Sequence, residues 1–412
     1  MDPITITGVG VLACNGIGKD SFWDALERGA SGIRHISRFD ASDLSCQIAG
    51  ELWDFDPHDF MSKHVVKHWN RHVHQAIAAA RLAVEDAGLK HAGYPSERVA
   101  VSIGTSIGSP NQVWEEAVKA YESGGFKKIN KFASSAFAGH SATVHVSVDL
   151  GIKGPATTIA SGCATGLDVL AWGMEQLRLN YADVAVVGAT EAPIFPMSIA
   201  GGCSLGILSK RNDEPEKAMR PFDAYRDGIV LSEGACVFVL EKAGHARARG
   251  ARIYAEIAGV GAAAEAHSPL ILERQGEALA RAIRSALQHA GEAPEAVDHI
   301  QAHGVSLAMY DHSEVNAYKS VFGDHVYRIP ISGVKSMIGQ AYSAGGALSV
   351  AAALLAIVRG VAPPTINQEQ PDPECDLDFV PNRARLNDVA CALAVAISFG
   401  GTHSAIVLRR YS

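Results

Sequence analysis

The chain has 412 residues, 48% of them hydrophobic and only 19% charged, enough to bury a large core and too apolar for wholesale disorder. Its net charge of −8 gives no global reason to bind nucleic acid. No continuous apolar run predicts a membrane span, and no basic start followed by a long apolar stretch marks the N-terminus as a leader.

In chain order, ITITGVGVLA (4–13) predicts a first strand, and AIAAARLAVEDAGL from Ala76 predicts a helix with a glycine stop. VAVSIG follows as a strand. The GVGVLACNGIGK stretch holds glycines and a lysine but lacks the GK[ST] ending of a phosphate-binding loop. SKHVVKHWNRH (62–72) is basic. Lys63, Lys67 and Arg71 stand at i, i+4 and i+8, so one helical face could carry all three. A solvated helix face is the plain alternative.

TTIAS then predicts a strand, and Leu167, Leu170, Ala171, Met174 and Leu177 keep helical spacing after it. Cys163 lies at the junction, between Gly162 and Gly166. A thiol at a helix start lies in the positive end of the helix dipole, which favours the thiolate, and nearby N–H groups can hold an oxyanion. The other reading is a small buried residue, as free cysteines usually are. Cys203, Cys236 and Cys391 lie in plain apolar runs. The seven cysteines form no CxxC pair, so a reducing, cytoplasmic compartment is expected. No His/Cys/Asp/Glu cluster has ligand spacing, so no metal is expected.

DVAVVGA and ACVFVLE predict further strands, apolar on both faces as in a sheet covered by helices. From residue 254 the pattern starts again. YAEIAGVGAA echoes ITITGVGVLA, AIRSALQHAGEA echoes the helix from Ala76, and VDHIQAHGVSL echoes RVAVSIGTSIG. Two similar α/β halves, 1–250 and 251–412, are expected to pack around a shared core. In the second, AHGVSLAMYDHSE places His303 at a strand end with Asp311 and Glu314 downstream. ISGVKSMIGQAYSAGG places Lys335 and Gln340 beside a helix start, and the Ala-rich segment after it predicts a buried helix stopped at Gly360.

Together these motifs resemble the β-ketoacyl-acyl carrier protein synthases of the elongating type, which have the thiolase fold. SGCATG resembles the nucleophile motif, MRPFDAYRDGIVLSEGACVFVLE the family's RPFD…RDG…GEGAG stretch, and AHG with its Asp and Glu the histidine motif. VKSMIG resembles the lysine motif and SFGGTHS the glycine-rich gate loop. The resemblance implies a layered α-β-α-β-α core and a homodimer, or a heterodimer with a ketosynthase-like subunit. It implies that Cys163 takes an acyl group from an acyl carrier protein and condenses it with decarboxylating malonyl carrier protein. The N–H groups of Cys163 and Phe399 would form the oxyanion hole, with Phe399 as gate. His303 would assist decarboxylation, Lys335 would organise charge around it, and Glu314 and Asp311 would support both. No cofactor is implied beyond the phosphopantetheine arm that the carrier brings. FAGHSA (137–142) and GTSIG near Ile107 would form tunnel and interface segments. A basic docking patch for the acidic carrier would comprise Lys63, Lys67 and Arg71, extended by Lys127, Lys128, Lys131 and Arg211.

Four departures stand out. The family's second histidine is Gln340, which can donate a hydrogen bond but cannot titrate. The two threonines that usually hold the pantetheine are Val305 and Leu307. Thr402-His403 replaces Thr-Asn, and Tyr342-Ser343-Ala344-Gly345-Gly346 replaces the usual GAAG run. These leave three readings open: a condensing synthase with a Cys-His-Gln site, a transferase or intramolecular bond-forming enzyme that does not elongate, and a chain-length-factor-like subunit without chemistry.

Overall fold

The computed structural model describes residues 2–89, 93–129 and 138–412. Among these, ten strands line up in its main sheet. In the first half they are β1 (Ile4–Ala13), β2 (Val99–Gly104), β3 (Ala156–Thr157), β4 (Val184–Glu191) and β5 (Gly234–Lys242). In the second they are β6 (Ala255–Ala264), β7 (His299–Gln301), β8 (Ile331–Ser332), β9 (Cys391–Ile397) and β10 (Thr402–Arg409). A two-residue strand, Gly16–Ile17, hangs off β1.

The order across the sheet is β8-β7-β9-β10-β6-β1-β5-β4-β2-β3. Counted from its own first strand, each half therefore runs first, fifth, fourth, second, third. The pairings repeat as well. β2 is parallel to β3 and β4, as β7 is to β8 and β9, and the remaining pairs within each half are antiparallel. The halves join where Thr5 and Ile6 of β1 face Glu256 and Ala255 of β6.

The echoed GVG motifs explain the outer layers. Helix α1 (Arg71–Asp86) lies on β1 and helix α4 (Glu277–Ala290) lies on β6. A Cβ on Gly10 would come 2.0 Å from Ala79 O, and one on Gly261 would come 2.2 Å from Ala282 O. Only glycine permits that approach of helix to strand.

The central layer pairs α2 (Thr165–Arg178) with α6 (Tyr342–Arg359), and both lie in the largest apolar cluster between the halves. Gly166 lets them touch, since a Cβ there would meet Ala347 N at 2.2 Å. By length and composition α6 could cross a membrane, yet 83% of it is buried inside this molecule. It ends at Gly360 with φ +66°, as the sequence predicts. Separate apolar clusters lie under α1 and under α4 with α5 (Ala308–Phe322). This is the five-layer α-β-α-β-α arrangement of the thiolase fold.

One strand is shorter than predicted. Of TTIAS only Thr157 joins the ladder, with Ala156 before it. β3 is the sheet edge, and beyond Thr157 the chain leaves the ladder and runs to the start of α2.

Candidate active site

Cys163 stands at the centre of a 3-10 turn, Gly162–Ala164, that feeds α2, so it precedes the α-helix rather than opening it. Gly162 has φ +68°, a left-handed conformation that glycine adopts without penalty. Ser398 fastens this turn to the glycine-rich loop. Its Oγ accepts Ala164 N–H at 2.8 Å and donates to Ser161 O at 2.6 Å. Through this tie the main-chain N–H groups of Phe399 and of Cys163 itself lie close enough to the sulfur to favour its charged form. Phe399 is 52% exposed above it.

The second half supplies the opposing side. His303 lies two residues past β7 on a loop whose N–H groups face inward. Glu314 of α5 accepts His303 N–H at 2.5 Å, Gly304 N–H at 2.8 Å and the Tyr318 hydroxyl at 2.6 Å. Asp311, one turn earlier, accepts Val305 N–H at 3.1 Å and Phe222 N–H at 2.8 Å, with Arg226 Nε at 3.3 Å. Two carboxylates thus clamp one loop and satisfy amides that burial would otherwise orphan. Lys335 Nζ donates to His303 O at 2.6 Å and stands 3.4 Å from His303 Nδ1. With an ammonium on Nδ1, the imidazole proton belongs on Nε2, which is buried without a protein partner among the described residues.

Gln340 completes the group. Its main chain is pinned by Gln340 N–H to Val230 O at 2.8 Å and Ser232 N–H to Gln340 O at 3.0 Å. Its Nε2 donates to Cys163 Sγ at 3.3 Å, and its Oε1 has no partner among the described residues. Cys163, His303, Lys335 and Gln340 are all at most 6% exposed.

Burial governs the charges here. It pushes the Cys163 thiol up to about 11, although Lys335 and the two N–H groups pull it down. The expected thiolate of a helix start is therefore corrected: desolvation of the resting site outweighs the positive end of α2. Burial also drives His303 well below the ordinary imidazole range, assisted by the charges of Lys335 and His403. Lys335 is lowered by burial against the pull of Glu314 and Cys163, and Glu314 is raised by burial against its three donors. Burial thus favours the neutral thiol at Cys163 and the neutral imidazole at His303.

Val305 is buried and Leu307 half-buried, both packed in the second-half cluster, so neither brings a polar atom to the entrance. Segments 105–108 and 138–140 do meet, lining a cavity of about 380 Å³ with His72, Thr158 and Ala160. Phe137 of the FAGHSA motif lies outside the described residues.

The basic face requires correction. Its helix stops at His68, and Arg71 opens α1 with its side chain turned inward. Arg71 Nε and Nη2 each lie 2.7 Å from the Glu233 carboxylate, which Arg38 and Gln75 also hold. Glu233 is fully buried, and a buried carboxylate draws the nearest cations. Lys63 and Lys67 remain exposed on the short helix, and Lys127 is exposed in the turn it shares with Lys128. Arg211 is half-buried and 3.9 Å from Glu214. Lys131 lies outside the described residues.

Two carboxylates, the buried Glu191 and the half-buried Asp168, escape a reading of the motifs alone. Glu191 accepts Ser106, Ile107 and Gly108 N–H at 2.6–3.0 Å and the Thr105 and Ser343 hydroxyls, tying the 105–108 loop to α6. Asp168 joins Ser161 to Ser404, the latter at 2.5 Å. An acid placed directly after VAVVGAT, or in the first turn after the cysteine, was the available signal.

Comparison with known proteins gives the family. Residues 1–246 match the β-ketoacyl synthase N-terminal domain and residues 254–369 match its C-terminal domain. The chain is 41% identical to the tetracenomycin polyketide synthase ketoacyl synthase alpha subunit of Streptomyces glaucescens, over 99% of this chain and 97% of that one. It is 40% identical to 3-oxoacyl-[acyl-carrier-protein] synthase 2 of Coxiella burnetii, over 99% and 98%. Among solved structures, the ishigamide ketosynthase/chain length factor superposes with a TM-score of 0.94 at 32% identity. A type II polyketide ketosynthase bound to its acyl carrier protein and a hexaketide superposes at 0.93 and 34%, and both cover all of each chain. With both domain models matched and such identity along nearly its whole length, the chain belongs to the β-ketoacyl synthase family.

Proposed function

We propose that this protein is a condensing ketosynthase with a Cys-His-Gln site, working on acyl groups tethered to a carrier protein in a polyketide or fatty-acid-like pathway. The observation that carries the reading is a donor from the second half on the first half's thiol. Gln340 Nε2 reaches the Cys163 sulfur at 3.3 Å, and the same half holds His303 with Lys335 Nζ 3.4 Å from its Nδ1 and 2.6 Å from its carbonyl oxygen.

In loading, the Cys163 sulfur attacks the acyl thioester of the carrier. The Phe399 and Cys163 N–H groups steady the oxyanion, and the pantetheine thiol leaves with the proton that Cys163 gives up. In condensation, malonyl carrier protein loses carbon dioxide. His303 Nε2–H donates to the thioester oxygen as it becomes an enolate, and the Gln340 amide supplies a second donor that cannot take the proton. The enolate carbon attacks the acyl-Cys163 carbonyl. The tetrahedral species expels Cys163 as thiolate, which regains a proton, and the carrier departs with a chain two carbons longer.

The phosphopantetheine arm comes with the carrier, and Lys63, Lys67 and Lys127 are the exposed cations suited to receive it. Edge strand β3, beside a helix (Ser141–Leu150) that exposes Val144 and Val148, suits a second ketosynthase-like subunit, identical or not. Val305 and Leu307 favour one rival, acyl transfer without elongation, because the hydroxyls that would seat a second pantetheine are absent.

Intact-protein mass spectrometry with a panel of acyl carrier proteins, then with malonyl carrier protein added, separates the readings. An acyl mass on Cys163 and a product two carbons longer with carbon dioxide released are expected. Acylation without extension would install the transferase reading. No acylation across the panel would leave the non-catalytic subunit reading in front.

A further inference from the structure

The RPFD motif has no task in either step. It lies in the long connection between α3 (Pro196–Ser204) and β5, within the part of the chain that matches the N-terminal domain, yet Met219 and Phe222 are buried in the second-half cluster. Phe222 has φ +65°, a conformation in which a phenylalanine persists only where its surroundings over-determine it. Its N–H donates to Asp311 at 2.8 Å, and its ring stacks on Phe379 with centroids 3.9 Å apart and planes 9° from parallel. Val380, next along the chain, is strained in the same sense at φ +47°. Strain of this kind gathers at functional sites.

What the ring touches gives the reason. Gly304 follows His303, and Gly333 stands two residues before Lys335. A Cβ on Gly304 would come 3.0 Å from Phe222 Cε2, and one on Gly333 would come 3.5 Å from the same atom. One edge of one ring is therefore the bed for both loops. The rest of the stretch holds the histidine loop as well. Arg220 N–H donates to Ser306 Oγ at 3.1 Å, and Asp311, which takes Phe222 N–H, also takes Val305 N–H. Gly333 N–H in turn donates to Thr365 Oγ1 at 2.7 Å.

We propose that Phe222 is a positioning residue for His303 and Lys335. Braced by Phe379, its ring sets the spacing of the two loops, so that Lys335 Nζ stands 3.4 Å from His303 Nδ1 and the imidazole proton is kept on Nε2. The first half thus shapes the second half's side of the site. The inference deepens the proposed condensation and rests on that reading for its catalytic meaning, but the imidazole tautomer can be read without a carrier.

The test compares the natural chain with Phe222→Leu, which keeps an apolar side chain and removes the ring, and with Phe379→Leu, which keeps the Phe222 ring and removes its brace. Heteronuclear NMR on isotopically labelled histidine reads the tautomer, with His303→Gln subtracting the other rings and Lys335→Met marking an imidazole without the ammonium. The natural His303 should carry its proton on Nε2. Phe222→Leu should move its signal towards that of Lys335→Met, and Phe379→Leu should move it the same way by less. With carriers supplied, malonyl decarboxylation by Phe222→Leu should fall at least about tenfold, as a misplacement of about 1 Å can cost on the order of a hundredfold, while acylation of Cys163 falls far less. A general loss of packing would lower both steps alike and leave the tautomer alone. A natural His303 protonated on Nδ1, a signal unmoved in both variants, or an equal loss in both steps overturns the proposal. Should Phe222→Leu fail to fold, Phe379→Leu decides by the same two readouts. If the tautomer shifts as expected while no carrier loads Cys163, the ketosynthase reading fails and the positioning stands.

Discussion

The first half brings the site a thiol on a glycine-flanked turn, whereas the second brings an imidazole on a loop held by buried carboxylates, an ammonium beside it, and an amide pinned by main-chain bonds. Both grow from the same strand order and the same glycine-to-helix contact. The two diverge beyond the second strand of each unit. After β2 the loop 105–108 is fixed by Glu191, and the nucleophile comes later, on a 3-10 turn whose capping Ser161 is held by Asp168. After β7 the loop itself is functional, and its buried N–H groups require Glu314 and Asp311. On the function proposed above, a repeated scaffold divides the chemistry between its halves: covalent attachment on one side and charge stabilisation on the other.

Removing the first half's contribution should have the largest effect. Cys163→Ala is expected to abolish acyl-enzyme formation and product together, read by intact mass after mixing with acyl carrier protein. An acyl mass that persists would place the nucleophile elsewhere. On the other side, Lys335→Met removes the ammonium on His303 Nδ1 while keeping an unbranched chain. Condensation should fall on the order of a hundredfold, as for loss of a preorganised charge, while loading of Cys163 falls far less. Single-turnover assays separate the two steps, and an equal loss in both would remove this division of labour between the halves.

The shared scaffold can be broken in matched fashion. Gly10→Ala and Gly261→Ala force a methyl against Ala79 O and Ala282 O, and each overpacking should cost about 1–3 kcal/mol in denaturant unfolding. If Gly261→Ala is silent while Gly10→Ala is not, the two outer layers are not equivalent. Acid should weaken both halves as well. Burial holds His72 at about 3 and His74 at about 4 in the first half, and His299 at about 3 in the second. Between the unfolded imidazole value near 6.5 and these values the unfolded chain binds more protons. Stability present above that pH is therefore lost as pH falls, by up to ~1.4 kcal/mol per pH unit for each imidazole. A urea midpoint unchanged between pH 7.5 and pH 5 would show these rings to be solvated.

Much of this was legible in residue order. GVG recurring before two Ala-rich helices foretells the repeat, because only glycine allows that helix to lie so close. The Gly-Cys-Ala-Thr-Gly turn foretells the position of the thiol, and AHG and VKSM foretell the loops that meet it. What was hidden depends on distant partners. Arg71 reads as one of three cations on a face, but Glu233 lies 162 residues away in sequence, and this buried acid turns the guanidinium inward. The thiol's elevation was equally invisible, since the dipole can be read from a helix start while the depth of burial cannot. Tyr342 shows as a change of letter, and its positive φ appears only in the fold.

The smallest expected effect sharpens the comparison most. Gln340 donates to Cys163 Sγ from a position only 3% exposed. Gln340→His would restore an N–H donor of similar reach in the same dry space. Burial pushes down the enclosed imidazoles of His72, His74, His299 and His303, so this ring should stay neutral too. Loading should then change by less than about threefold, the scale of one neutral hydrogen bond, and its pH profile should gain no new ionisation between about pH 6 and 8, where an unperturbed imidazole titrates. A new ionisation there would mean that water reaches position 340 and that the second half can supply a titrating group. The glutamine would then be what keeps proton transfer away from the thiol, and the two halves would differ in proton chemistry as well as in charge.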